Sequence, residues 1–73
     1  MAPEFLSDIG ERVRAAREGR GMTQRELAEA TGLSQSNIWE IEHGKRDLRM
    51  STFWRIKEAL EVSASDLVDD RRH

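Results

Sequence analysis

The sequence predicts an all-α fold, a compact domain of five short helices with a closely spaced helical pair at its centre. Apolar residues recur at intervals of three and four, the spacing of amphipathic helices, and no apolar run has the period of two that marks strands. Capping residues and glycines indicate where each helix begins and ends. The 73 residues suit one domain, which we expect to span residues 1–73 with a core from about 6 to 68.

The first helix is expected from about Ser7 to about Glu18. Its apolar positions form one stripe at helical spacing: Leu6, Ile9, Val13 and Ala16. Gly19 and Gly21 follow this stripe, and they stop the helix before the chain reaches Met22.

The central helical pair occupies residues 24–43 and begins with a strong capping sequence. Thr23 can cap the first helix of the pair while Glu26 reaches back to the cap, which is the reciprocal capping box. The inward face of this helix consists of Leu27, Ala28 and Thr31. Gly32 lies where the chain must turn sharply, and glycine tolerates the left-handed backbone that such a turn needs.

The second helix of the pair follows Ser34, a suitable N-cap, and Gly44 ends it. Ile38 and Ile41, three residues apart, form its buried face. Its outward positions are Gln35, Ser36, Trp39, Glu40 and His43. This spacing is that of a helix-turn-helix, whose second helix, here residues 34–43, enters the major groove of DNA. A plain helical hairpin within a small bundle is the alternative.

Two further helices complete the predicted fold. The fourth runs from about Ser51, its expected cap, to Leu60, and its core face consists of Phe53, Ile56 and Leu60. The segment 63–66 has a second capping pattern, which opens a short fifth helix through Leu67 and Val68. The loop before the fourth helix carries three cations: Lys45, Arg46 and Arg49.

The composition argues against several classes of protein. Without cysteine there is no disulfide framework, zinc-finger ligand set or thiol chemistry, which agrees with the reducing cytoplasm. No apolar run approaches the roughly 20 residues that cross a bilayer, and the N-terminus lacks a secretory signal. His43 and His73 have no plausible metal spacing, and no phosphate-cradling glycine loop accompanies them. We therefore expect no catalytic residue, no metal, no cofactor and no membrane partner.

The charge distribution matters more for DNA binding than the net charge of −2. Between Arg12 and Arg49 the chain has eight basic and six acidic residues, a local balance of +2, whereas four basic and eight acidic residues lie outside this segment. A small basic rim is sufficient for phosphate contacts, and a weak one predicts modest non-specific affinity.

These segments resemble the helix-turn-helix family of the phage lambda and 434 repressors and Cro, also called the XRE family. The resemblance covers Ile9 to Val68, nearly the whole chain. The matching segments are IGERVR (9–14), MTQRELA (22–28), GLSQ (32–35), IEHGKR (41–46) and ALEVS (59–63). The resemblance implies a lambda-repressor-like domain that regulates transcription.

The resemblance also implies roles for individual residues. Gln35 occupies the main base-reading position, where glutamine can grip an adenine edge through two hydrogen bonds. Ser36 and Glu40 occupy two further base-facing positions. Gln24 is expected to bind a phosphate and brace the second helix, and Thr23 beside it can also reach the DNA backbone.

Arg17 and Glu42 match a pair that joins the first helix to the recognition helix in some members, and charges placed so far inside are kept only when paired. The chain departs from the family in and before the fourth helix. The residues that differ are Leu48, Arg49, Trp54, Lys57 and Glu61. Among them, Glu61 replaces a common glycine and Lys57 replaces a small apolar residue.

Several outward residues have two possible roles. Trp39 could touch a sugar or a thymine methyl, or it could cover the edge of the core. Glu40 could accept a hydrogen bond from cytosine N4, or it could repel phosphate and reject wrong sites. Asn37 is either a phosphate contact or a solvated residue. The three loop cations form either a phosphate clamp or a solvated basic loop.

We expect a sequence-specific transcription regulator, a repressor, that binds a double-stranded DNA operator as a homodimer in the cytoplasm. The expected dimer contacts are Trp54, Leu67 and Val68, although Leu67 and Val68 could instead fold back on their own domain. Three kinds of regulator agree with this interpretation: a phage-type repressor, a restriction-modification controller and an antitoxin. The alternative is a protein-binding adaptor or antitoxin-type module, in which the fourth helix binds a partner protein.

Overall fold

Five α-helices make up the fold of residues 4–68, the part of the chain that the computed structural model describes. They are α1 (Glu4–Gly19), α2 (Gln24–Thr31), α3 (Gln35–Glu42), α4 (Met50–Leu60) and α5 (Ala64–Leu67). No strand occurs in this range, so the all-α prediction is confirmed. Residues 1–3 and 69–73 of the expected domain lie outside the described range.

One hydrophobic core lies between the helices. α3 packs against both α1 and α2, while α4 contacts α1 and α2, and α5 contacts α1. The buried apolar residues are Ile9, Val13, Leu27, Ala28, Ile38, Ile41, Phe53, Ile56, Leu60 and Leu67. Because α3 is supported from two sides, its remaining face is free to meet another molecule.

The capping predictions for the central pair are confirmed. Thr23 Oγ1 accepts a hydrogen bond from the Glu26 backbone N–H at 3.0 Å, and the Thr23 N–H donates to Glu26 Oε1 at 2.8 Å. Gly32 adopts the left-handed conformation with φ 75°. Ser34 Oγ accepts from the Asn37 backbone N–H at 3.1 Å. Local sequence therefore sets both ends of the turn between α2 and α3.

The C-terminal end of α3 is closed by backbone hydrogen bonds around Gly44, as predicted. The Gly44 N–H donates to the Ile41 carbonyl at 3.1 Å, and the Lys45 N–H donates to the Glu40 carbonyl at 2.8 Å. Gly44 has φ 66°, so these bonds form the Schellman arrangement. A Cβ atom at Gly44 would also lie 2.8 Å from Ser7 Cα, so α1 leaves no space for a side chain there.

Two predicted helix starts are wrong. α1 begins at Glu4, and Ser7 lies inside it as a small residue against the Gly44 turn. α4 begins at Met50 with Arg49 as its N-cap, so Ser51 lies in the first turn rather than at the cap. Arg49 has extended backbone, and its carbonyl accepts the first helical bond from the Phe53 N–H at 2.9 Å. The backbone path thus sets the start of α4, and no side chain caps it.

The prediction that Leu67 contacts a second copy of the chain is also wrong. Ser63 and Asp66 form the expected capping box, which places the short helix α5 across α1. Leu67 is 0% exposed because it packs into the core of its own domain. The fifth helix ends at Leu67, one residue earlier than expected, and Val68 follows it half-buried.

Candidate DNA-binding surface

The outer face of α3 carries most of the residues predicted to read bases. Ile38 and Ile41 are buried on the inner face of α3. Gln35, Ser36 and Trp39 are exposed, and Glu40 is half-buried. The structure therefore brings these four candidates together on one surface of a single short helix.

A buried carboxylate fixes the C-terminal end of α3. Glu42 Oε2 accepts from Arg17 Nε at 2.6 Å and Glu42 Oε1 accepts from Arg17 Nη2 at 3.1 Å, so the pair is bidentate. Gln24 Nε2 also donates to Glu42 Oε1 at 3.1 Å. The hydrogen bond to Glu42 raises the pKa of the Arg17 guanidinium, which keeps it charged. Glu42 thereby ties α1 and α2 to α3.

Close backbone packing reinforces this attachment at Gly10, a residue that the sequence interpretation did not select. A Cβ atom at Gly10 would lie 2.6 Å from the Glu42 carbonyl oxygen and nearer still to that of Ile41. Only glycine allows α1 to pass so close to the end of α3. An isolated glycine inside an amphipathic helix was the available signal, because it lowers helix stability and so needs a packing reason.

The aromatic side chain of Trp39 stacks on His43 one turn later. The two ring centroids lie 3.9 Å apart with an interplanar angle of 19°. His43 Nδ1 lies 2.8 Å from the Trp39 carbonyl oxygen, which holds the imidazole in place. Trp39 is 46% exposed, so it presents a large apolar surface beside the polar base-reading candidates.

The basic loop after α3 lies beside the same surface. Lys45, Arg46 and Arg49 are all exposed. Arg46 Nε lies 3.1 Å from Glu40 Oε1, so one loop cation is paired with one base-reading candidate. Asn37, Arg46 and Arg49 help to line a groove of about 300 Å³ between α3 and the start of α4. The predicted phosphate clamp is thus close to α3.

Two of the remaining phosphate candidates, Thr23 and Gln24, have structural partners of their own. Thr23 caps α2, and the Gln24 amide nitrogen is bonded to Glu42. The Thr23 hydroxyl accepts its helical bond and keeps its own proton for donation, since a hydroxyl can do both. Asn37 is half-buried on the first turn of α3. Thr23 and Gln24 therefore lie at the start of α2, whereas Asn37 lies in the groove beside Arg46 and Arg49.

The surface of α4 differs chemically from the surface of α3. Trp54 is 52% exposed, and Lys57 Nζ lies 4.4 Å from the centroid of its ring, a cation–π contact. Met50, one turn before Trp54, is 74% exposed. Apolar surface is therefore exposed on α4, the helix in which Trp54 and Lys57 depart from the family pattern.

Residues 4–68 contain no group of three or more His, Asp or Glu side chains placed to hold a metal ion. Each of the five helices in this range is too short or too polar to cross a lipid bilayer.

Comparison with known proteins assigns the chain to a family. The helix-turn-helix domain family matches residues 10–70, and the chain belongs to it. The HTH-type transcriptional repressor RghR of Bacillus subtilis is 36% identical over 64 residues, which cover 86% of this chain and 47% of the relative. The immunity repressor protein of Bacillus phage phi105 is 34% identical over 62 residues, which cover 85% of this chain and 43% of the relative. The chain thus spans under half the length of these relatives.

A solved structure agrees with this assignment. The restriction-modification controller protein C.AhdI from Aeromonas hydrophila superposes with a TM-score of 0.85 at 28% identity, covering 89% of this chain and 98% of that chain. The proteins named here are two repressors and a controller protein. The chain accordingly contains a helix-turn-helix domain of the class found in DNA-binding regulators, as the sequence predicts.

Proposed function

We propose that this chain is a transcriptional repressor that inserts α3 into the major groove of a double-stranded DNA operator. The observation that carries the proposal is the exposed polar face of α3, whose far end is held rigidly by the buried Arg17–Glu42 pair. The proposed base-reading residues are Gln35, Ser36, Trp39 and Glu40. The proposed phosphate contacts are Thr23, Gln24, Asn37, Lys45, Arg46 and Arg49.

The names of the relatives support repression, since RghR and the phage phi105 protein are both called repressors. We infer that residues 1–73 act as one helix-turn-helix domain with a core from about 6 to 68, and that it works in the cytoplasm. A domain of this size holds a motif that reads only a few base pairs.

Selection of binding sites from random double-stranded DNA tests the proposal. We expect enrichment of one short motif, and tighter binding to that motif than to random DNA of the same length. Placing the motif across a promoter should lower transcription in a purified system. Enrichment of no motif would contradict sequence-specific recognition, and increased transcription would contradict repression.

A homodimer is the second part of the proposal. One helix-turn-helix carries too little information to find an operator among the competing sites of a genome. Two copies related by a two-fold axis would read half-sites about one helical turn, roughly 34–36 Å, apart. Trp54 on α4 and Val68 after α5 remain available as contacts. A cavity of about 200 Å³ with mostly apolar walls adjoins Val68, and its lining includes Phe5, Met50 and Phe53.

Sedimentation at micromolar concentration tests the dimer. Trp54→Glu and Val68→Glu should each shift the protein toward monomer and weaken operator binding, because a charge would be placed in an apolar interface. Arg55→Glu is the matched control, since Arg55 is exposed on the same helix as Trp54. A wild type that remains monomeric and binds a single half-site at full strength would contradict the dimer.

A protein-binding adaptor is the second candidate function. The large exposed fractions of Met50 and Trp54, 74% and 52%, favour it because apolar side chains on a surface helix suit a partner protein. The same site selection separates the two candidates. An adaptor would select no DNA motif, whereas a repressor would select one even if it also bound another protein.

A further inference from the structure

An exposed ion pair joins the outer face of α3 to the loop that follows it. Arg46 Nε lies 3.1 Å from Glu40 Oε1, and the side chains are 46% and 43% exposed. Each residue is proposed above as a separate DNA contact, Glu40 to a base and Arg46 to phosphate. The contact between them makes these two roles interdependent.

The pair leaves polar atoms available on both side chains. Arg46 uses only its Nε–H in this contact, and its two terminal nitrogens have no hydrogen-bond partner within residues 4–68. In the same range, Glu40 Oε2 also has none. One acceptor and several donors are therefore free for a further partner, and arginine can serve a carboxylate and a phosphate at once.

We propose that Arg46 is a positioning residue that holds Glu40 so that its Oε2 accepts a hydrogen bond from the N4 amine of a cytosine. The inference rests on the proposed function, because it requires α3 in the major groove. Cytosine offers an amine donor there, whereas adenine places the N7 acceptor beside its amine, and N7 repels a carboxylate. The pair thus selects one C·G base pair of the operator.

Electrostatics explains why the arginine is needed. A carboxylate that enters a groove between phosphates meets repulsion, and the guanidinium offsets this repulsion at 3.1 Å. The terminal nitrogens of Arg46 remain able to donate to a phosphate oxygen. Lys45 and Arg49 have no such ion-pair partner on α3 within the described residues, so neither is coupled to Glu40 in this way.

A double-mutant cycle on selected operator DNA tests the proposal. The variants are Glu40→Ala, Arg46→Ala and the double variant, each titrated against the operator and against copies changed at single positions. Glu40→Ala and Arg46→Ala should each reduce discrimination at the same C·G pair by about 10- to 150-fold, the range for a lost hydrogen bond to a charged group. The double variant should lose no more discrimination than either single variant.

Arg20 and Glu61 provide the matched control, since they form an exposed pair of 3.3 Å that contains no residue of α3. Arg20→Ala and Glu61→Ala should leave every base preference unchanged. A selected motif whose preferences all survive Glu40→Ala overturns the inference alone. Uniform weakening of DNA binding by Arg46→Ala, with all base preferences retained, also overturns the inference alone. A wild type that selects no motif overturns the proposed function and this inference with it.

Discussion

Arg17 and Glu42 form a buried bidentate pair that fastens the last turn of α1 to the last residue of α3. The Glu42 side chain is fully buried and that of Arg17 is 10% exposed. Arg17 Nη1 also donates to the Met22 carbonyl at 2.7 Å, which ties the α1–α2 connection to the same guanidinium. The orientation of α3, and with it any base reading, depends on this pair.

Glu42→Ala should lower the free energy of unfolding by roughly 3–5 kcal/mol, because it leaves the Arg17 charge buried without its partner. Arg17→Met combined with Glu42→Leu should recover much of this loss, since apolar replacement of both partners removes the uncompensated charge. Urea unfolding followed by circular dichroism measures both effects. Glu18→Ala is the control, as Glu18 is exposed and lies 3.9 Å from Arg17. If Glu42→Ala unfolds like wild type, the pair does not stabilise the fold.

Gly10→Ala should destabilise the protein although alanine is the better helix former by about 1 kcal/mol. The new methyl group would meet the Glu42 carbonyl at 2.6 Å, and overpacking of this kind costs about 1–3 kcal/mol. The variant should also bind DNA more weakly because α3 is displaced. Gly19→Ala is the matched control, since nothing lies within 4 Å of its Cβ position. Equal melting temperatures for the two variants would show that α1 can move away from α3 at little cost.

Glu61 has the left-handed conformation with φ 56°, the one such non-glycine residue in the described range. Glu61→Gly should be more stable than Glu61→Ala by about 1 kcal/mol, because a Cβ in this conformation is strained. Comparing the two variants removes the effect of the lost Arg20 contact, which both lack. Thermal unfolding provides the measurement. A Glu61→Ala variant as stable as Glu61→Gly would mean that the backbone relaxes at this position.

Much of the fold could be predicted because its signals are local. The capping boxes at Thr23 and Ser63 and the glycine at position 44 involve residues within a few positions of each other. The grouping of Gln35, Ser36 and Glu40 on one face follows directly from helical periodicity. The family resemblance then predicts that this face would meet DNA.

The remaining features depend on contacts that periodicity cannot reveal. The sequence pattern around Leu67 is the same whether its side chain faces the core of its own domain or a second copy of the chain. Only the path of α5 across α1 decides between these two positions. Gly10 acquires its importance from carbonyls more than 30 positions later in the chain. Likewise, the Glu40–Arg46 contact depends on the shape of the turn after α3. The predicted start of α4 is wrong because a serine such as Ser51 is favourable inside the first turn of a helix as well as at its N-cap.

Neutralising Lys45 or Arg49 should weaken binding to all DNA sequences alike. If each side chain contacts a phosphate, its loss should flatten the dependence of log K on log salt by about one unit. Lys45→Gln and Arg49→Gln, titrated on operator and random DNA from low to moderate salt, provide the test. Arg14→Gln is the control, because Arg14 lies on α1 and is paired with Glu18 at 3.2 Å. An unchanged slope would place the mutated side chain away from the DNA backbone.

Gln35→Ala should reduce specificity more than it reduces general affinity for DNA. Gln35 is exposed at the first position of α3, where a glutamine amide can form two hydrogen bonds with adenine. Losing such a bidentate contact should cost about 1–3 kcal/mol at one operator position and almost nothing on random DNA. Asn37→Ala provides the contrast, since loss of a phosphate contact should weaken both DNAs equally. The measurement is a titration of both variants against the operator, its single-position variants and random DNA. Equal losses for Gln35→Ala on operator and random DNA would remove Gln35 from the base-reading residues and leave the recognition to the rest of α3.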